Sequence, residues 1–213
     1  EIGQLSDSYR EMQAILITQV EQAKRVANGD FDKVLPPRSD KDELTIALNE
    51  MTRSLKAAKT KTDHDSWIKS SQNDLSIEIQ GDIDLVNVGS KITGLVTRQV
   101  NALTSALFVF NEQKQIEFIS GYAVNNAQAK SRTFIPGEGL IGQAVKNGKP
   151  IIVKDVPEHY LDICSGLGSQ KPHYLMIVPC LYNKVVEGVI ELGSLVPFDE
   201  LILEYINLIS ESI

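Results

Sequence analysis

The chain has 213 residues, 42% of them hydrophobic, with 28 acidic against 21 basic residues and a formal net charge of −7. That length suits two modest domains or one domain with a helical stalk, and the acidic balance excludes a nucleic-acid binder or a polybasic membrane surface. Two cysteines, Cys164 and Cys180, make no disulfide framework and fit a reducing compartment, and no run of about 18 apolar residues predicts a membrane span.

In chain order the first element is a helix. Ile2, Leu5, Tyr9, Met12 and Leu16 advance in steps of three and four, the spacing of a coiled-coil seam. Val20, Ala23 and Ala27 follow after an extra step of four, a stutter that locally unwinds a supercoil. Asn28-Gly29 predicts the stop. Residues 30–40, with Phe31, Val34, Leu35 and Pro36-Pro37, predict an extended connector pressed back onto the helices. Asp40 or Asp42 caps a second helix, Glu43 suits its positive end, and Leu44, Leu48, Met51 and Leu55 form its stripe. The opening phrase Glu1-Ile2-Gly3-Gln4-Leu5, running into Tyr9-Arg10-Glu11-Met12, is echoed by Asp42-Glu43-Leu44-Thr45, running into Leu48-Asn49-Glu50-Met51. A short unit that repeats and cannot cover its own stripe predicts packing against a copy of itself. The expected assembly is a parallel homodimer of four helices, in which each buried Leu contributes about 1.5–3 kcal/mol.

The Gly29-Asp30-Phe31 turn and the Asp42-Glu43 start of the second helix resemble the HAMP domain, the relay of bacterial transmembrane receptors, over residues 13–58. Residues 1–12 resemble the end of a preceding HAMP. Thr45 stands where the family usually has glycine, and the first helix lacks the usual opening proline. The resemblance implies signal-relay roles for Gly29, Asp42, Glu43, Leu44, Leu48, Met51 and Leu55. Residues 59–80 predict a helical linker, with the lone Trp67 as a packing anchor where the next domain meets it.

Gly81-Asp82 breaks the helix, and Leu85, Val88, Ile92, Leu95, Val96 and Leu103 return at helical spacing. The period then changes to that of strands. Residues 107–110 and 116–119 predict a hairpin around the polar turn 111–114. A polar loop over 125–132 leads to Phe134-Ile135-Pro136-Gly137-Glu138-Gly139-Leu140-Ile141-Gly142, a glycine-rich turn feeding a short helix that Asn147-Gly148 closes. Strand 150–153, a short helix around 159–163 and the loop Cys164-Ser165-Gly166-Leu167-Gly168 come next. Strands 175–181 and 185–195 flank Tyr182-Asn183-Lys184, and a last helix starts at Asp199. This order predicts an α+β fold, an antiparallel sheet with helices on one face.

The glycine-rich phrase, Pro150-Ile151-Ile152-Val153 and Gly188-Val189-Ile190-Glu191-Leu192-Gly193-Ser194 together resemble the GAF domain over residues 81–213. The resemblance implies a cup between sheet and covering loops that holds a small molecule, or a domain that relays force without one. The residues expected to line it are Phe118, Tyr122, Phe134, Leu140, Cys164, Ser165, Leu167 and Met176, with polar tips at Tyr122, Cys164 and Ser165. No metal or defined cofactor is expected, because His64, His159 and His173 lack ligand spacing. The three glycines precede a helix but no Lys-Ser or Lys-Thr follows, so they read as a structural turn rather than a phosphate cradle. Cyclic-nucleotide-binding relatives space an acidic pair away from a Phe, whereas Asp199-Glu200 directly follow Phe198. Bilin-binding relatives place His beside the attachment Cys, where Ser165 stands. HAMP followed by GAF resembles the cytoplasmic part of bacterial inner-membrane sensor histidine kinases. The expectation is a non-enzymatic, homodimeric relay piece of a longer two-component receptor. It would reach the membrane only through upstream segments and a response regulator only through a kinase domain outside this chain. A cyclase or chemoreceptor output, or a GAF-fold thiol enzyme, is the alternative.

Overall fold

The structure, a computed structural model, describes residues 2–81, 84–124, 129, 132–156, 163–165 and 168–211; for Ile2, residues 163–165 and residues 168–169 it describes backbone alone. The chain divides into two compact units, Glu1–Trp67 and Ile68–Ile213. Among the described residues no helix is long and apolar enough to cross a membrane.

In the first unit α1 (Ile2–Ala27) runs unbroken through the stutter. Gly29, at φ +83°, ends it. Its N–H donates to the Val26 carbonyl and the Asp30 N–H to the Arg25 carbonyl, both at 3.0 Å, the pair of bonds that satisfies the last helical turn. The Arg25 guanidinium then closes on Asp30 at 2.7 Å and holds that carboxyl below its ordinary range. The connector carries no helix or strand and is held from both helices: Gln22 Nε2 of α1 donates to the Lys33 carbonyl at 2.5 Å, while Asn49 accepts from the Leu35 N–H at 3.0 Å and donates to the Leu35 carbonyl at 2.7 Å. Asp42 starts α2 (Glu43–Ile79), its carbonyl accepting from Ile46 N–H and its side chain from Thr45 N–H. The Arg38 N–H, bonded to the same carboxylate, keeps it ionised to lower pH than usual.

The contact between the two helices inside this unit is polar. Gln19, Gln22, Thr45, Asn49 and Thr52 are buried beside Val26, and Gln19 Nε2 donates to Thr45 Oγ1 at 3.0 Å. The apolar stripes face outward instead: Leu5 is 76% exposed, Leu44 57%, Met12 53% and Met51 44%. Glu43 is exposed, whereas Leu48 and Trp67, the last residue of the unit, are half-buried.

In the second unit Ile68, Ser71 and Leu75 on the last third of α2 are buried, and Gln99 at the end of α3 (Leu85–Gln99) donates to the Ser71 carbonyl at 3.2 Å. Asp84 caps α3 by accepting from the Asn87 N–H. Among the described residues six antiparallel strands make the sheet: β1 (Thr104–Phe110), β2 (Ile116–Tyr122), β3 (Thr133–Phe134), β4 (Ile151–Lys154), β7 (Tyr174–Tyr182) and β8 (Val185–Ser194). Their order is β3-β2-β1-β8-β7-β4. A separate ribbon pairs β5 (Ile163–Ser165) with β6 (Gly168–Gln170). The predicted loop at 164–168 is thus a two-stranded element, and Ile163 is strand rather than the end of a helix. The rest of that expected helix, residues 157–162, lies outside the described residues.

The architecture is the expected α+β one, but its helices divide between the two faces of the sheet. Thr97 of α3 donates to Ser105, and Gly89 sits over Leu107 and Ser120, so α3 covers the face of the odd-numbered β1 residues. Tyr205 of α5 (Glu200–Ile209) donates to Gln99 and joins α3 on that side. The short helix α4 (Gly139–Asn147) packs Ile141 and Ala144 with Ala106 and Phe108, on the opposite face. The glycine-rich turn accounts for this placement. Gly137 and Gly139 take φ +94° and +62°, and a Cβ on Gly142 would lie 2.2 Å from the Ile135 carbonyl oxygen. Only glycines let the chain double back tightly enough to lay α4 on the second face.

Candidate functional site

The face under α4 is a concave apolar wall built on Phe108. Its ring meets Phe118 edge-on at 5.8 Å and Phe134 edge-on at 5.7 Å. Ala106, Leu175, Ile177 and Val189 extend the wall along the central strands, and Leu140 packs against it from α4. Three residues predicted to line a cup, Phe118, Phe134 and Leu140, are brought together here.

Two others point away. Between Leu107 and Phe108 the β1–β2 register shifts, so that Phe108 pairs with Phe118 while Leu107 pairs with Ser120. Ile119 is the extra residue of this bulge, and beyond it every β2 side chain changes face. Tyr122, opposite Ser105, therefore lies on the α3 side and is 43% exposed. Met176 lies opposite Leu192 and is fully buried among the α3-side residues, one step out of phase with Leu175 and Ile177. Cys164 and Ser165 belong to β5 with their side chains outside the described residues, as Leu167 is altogether.

Sequence reasoning missed the charged group that, among the described residues, stands on the wall's central strands. Glu191 of β8 lies between Ala106 of β1 and Ile177 of β7, its Cα partners on the two neighbouring strands, and so shares their face. Its Oε1 is buried without a hydrogen-bond partner, while the residue as a whole is only half-buried. Burial pushes the carboxyl up to about 7, against the opposing pull of the Arg132 charge. The signal was present in the chain: within Val189-Ile190-Glu191-Leu192, the acid takes the place of an apolar residue at a position central to the sheet.

Cys180, by contrast, is buried and its thiol is pushed up to about 12 by desolvation, so at neutral pH it is no nucleophile. Among the described residues no group of His, Cys, Asp and Glu could hold a metal ion.

Comparison with solved structures finds this fold repeatedly. The GAF domain of an Acinetobacter phosphoenolpyruvate-protein phosphotransferase is 14% identical with a TM-score of 0.56, covering 68% of this chain and 89% of that one. The equivalent domain from Coxiella burnetii is 17% identical with a TM-score of 0.57 over 68% of this chain and 89% of its own. The free methionine-R-sulfoxide reductase of Neisseria meningitidis, in complex with its substrate, is 16% identical with a TM-score of 0.52 over 70% of this chain and 84% of its own. At these identities the likeness shows the fold alone. Comparison with curated proteins finds no match. The family model described as "GAF domain" matches residues 84–213, from the start of α3 through all eight strands and α5, and on that match the chain belongs to the GAF domain family.

Proposed function

We propose that this chain is a dimeric relay segment: a HAMP-type bundle over residues 13–58, preceded at 1–12 by the end of another, and a linker at 59–80 leading into the regulatory GAF domain. In this reading it is the cytoplasmic part of a bacterial inner-membrane sensor histidine kinase, and the catalytic step belongs to a domain outside the chain. The carrying observation is the inversion of the first unit, whose inner contact is polar while Leu5, Tyr9, Met12, Leu44 and Met51 stay exposed. Stripes of that kind gain about 1.5–3 kcal/mol for each large side chain a second copy covers. The Gly29 corner and the Asn49 clamp hold the two helices parallel, which supports a four-helix arrangement of two such units. Two packings of such a bundle, separated by a few kcal/mol, are what an upstream signal or a GAF ligand would bias.

The thiol-enzyme alternative draws on the sulfoxide reductase fold alone and would rest on Cys164, since the buried, protonated Cys180 offers it no second reactive thiol; loss of sulfoxide reduction in Cys164→Ser is the result that would favour it. A cyclase or chemoreceptor output fits the same bundle. Sedimentation equilibrium on the whole chain tests the proposal: a dimer at micromolar concentration is expected, and Leu44→Glu with Met51→Glu should return it to monomer. A wild-type monomer at tens of micromolar would overturn it.

A further inference from the structure

The relay reading leaves open what the GAF wall recognises, and Glu191 answers to a chemical class. Its neighbours across both strands, Ala106 and Ile177, offer no donor, and its Oε1 has no hydrogen-bond partner. A carboxylate oxygen buried without a partner on the face of Ala106 and Ile177 is costly to the fold unless something completes it. Arg132 attracts it through space yet is exposed and leaves that oxygen unbonded. Ala106, directly opposite, is a small side chain that cannot reach across to cover the carboxyl. We propose that Glu191 is the recognition group of the cup, which takes a small ligand carrying a cationic nitrogen, a primary ammonium or a guanidinium, with its apolar part against Phe108. The raised affinity of the carboxyl for a proton is in keeping with a group that gains from a cationic partner. With one carboxylate oxygen out of water, a charge-assisted pair formed there is stronger than one at the surface.

This inference rests on the GAF domain accepting a ligand at all, and the probes separate the two. The whole chain is titrated by calorimetry with n-butylamine, n-butylguanidine and n-butanol, and the Glu191 side-chain carboxyl is followed by carbon NMR. The cations should bind about tenfold or more tightly than the alcohol, lose that preference in Glu191→Gln, keep it in Arg132→Gln, and shift the Glu191 titration to lower pH. The Arg132→Gln arm asks whether Arg132 is itself the intended partner. If removing it is what first allows the cations to bind, Glu191 belongs to an internal ion pair and the inference falls. Equal binding of amine and alcohol keeps the cup and overturns the cation. No binding by any of the three overturns both. A Glu191 titration unmoved by saturating amine overturns the contact even where binding is seen.

Discussion

The role proposed for Glu191 sets function against stability in a single side chain. The unfolded chain titrates near 4.5 at this position and the folded one at about 7, so between those values the folded state holds the extra proton. Stability from this group is therefore greatest below pH 4.5, declines as pH rises, and is lowest above about 7, a swing on the order of 3 kcal/mol. Glu191→Gln removes the charge and keeps the shape. Its melting temperature should exceed that of the wild type by several degrees at pH 8, and the difference should vanish near pH 4; comparing the two proteins at each pH cancels the opposite trend of Asp30 and Asp42, whose carboxyls are lowered. A gap that is constant with pH would mean that burial of the charge is not its cause. Gly142 is the second residue on which the cup depends. Gly142→Ala forces a methyl into the Ile135 carbonyl and should cost about 1–3 kcal/mol in urea denaturation, where Gly148→Ala, at φ +59° with open space around it, costs only its strained backbone.

Among the elements, those set by local chemistry were readable and those set across strands were not. The end of α1 at Asn28-Gly29, the start of α2 at Asp42 and the pairing of β7 with β8 around Asn183-Lys184 each depend on a few adjacent residues, and periodicity placed them well. The bulge at Ile119 depends on how β1 and β2 pair, and nothing within Ile116-Glu117-Phe118-Ile119-Ser120 marks it. Strict alternation therefore put Tyr122 on the wrong face, and Met176 was placed on the wall because a fully apolar strand carries no phase of its own. The side of the sheet that α4 takes was likewise hidden, since it follows from the Gly142 contact rather than from the helix's own pattern. In the connector of the first unit, Asn49 is, among the described residues, the one side chain that bonds both the N–H and the carbonyl of a single residue. Asn49→Asp keeps the acceptor for the Leu35 N–H but turns the donor into a charge facing the Leu35 carbonyl. It should destabilise the first unit by about 1–3 kcal/mol, read as faster amide exchange at Leu35 and Ile46 with Phe108 in β1 unchanged.

For the molecule as a whole, the proposed dimer raises the question of which surface a second copy would cover, and the helices offer two unlike faces. One carries Leu5, Met12, Leu44 and Met51; the other carries charged positions such as Glu21, Glu50 and Arg53, all exposed. Hydrophobic burial can only be gained on the first, while the second would bring charges together at a desolvation cost. Single cysteines introduced in a Cys164→Ser background make the choice measurable. Leu44→Cys and Met51→Cys should form intermolecular disulfides rapidly under mild oxidation, because symmetry brings each position close to its own copy in a parallel bundle. Glu50→Cys and Arg53→Cys should stay largely uncrosslinked under the same conditions, and Cys180, buried with a protonated thiol, should contribute nothing. Crosslinking through Glu50 and Arg53 in place of Leu44 and Met51 would mean that the exposed stripe serves another partner. The parallel bundle, and with it the relay, would then have to be abandoned.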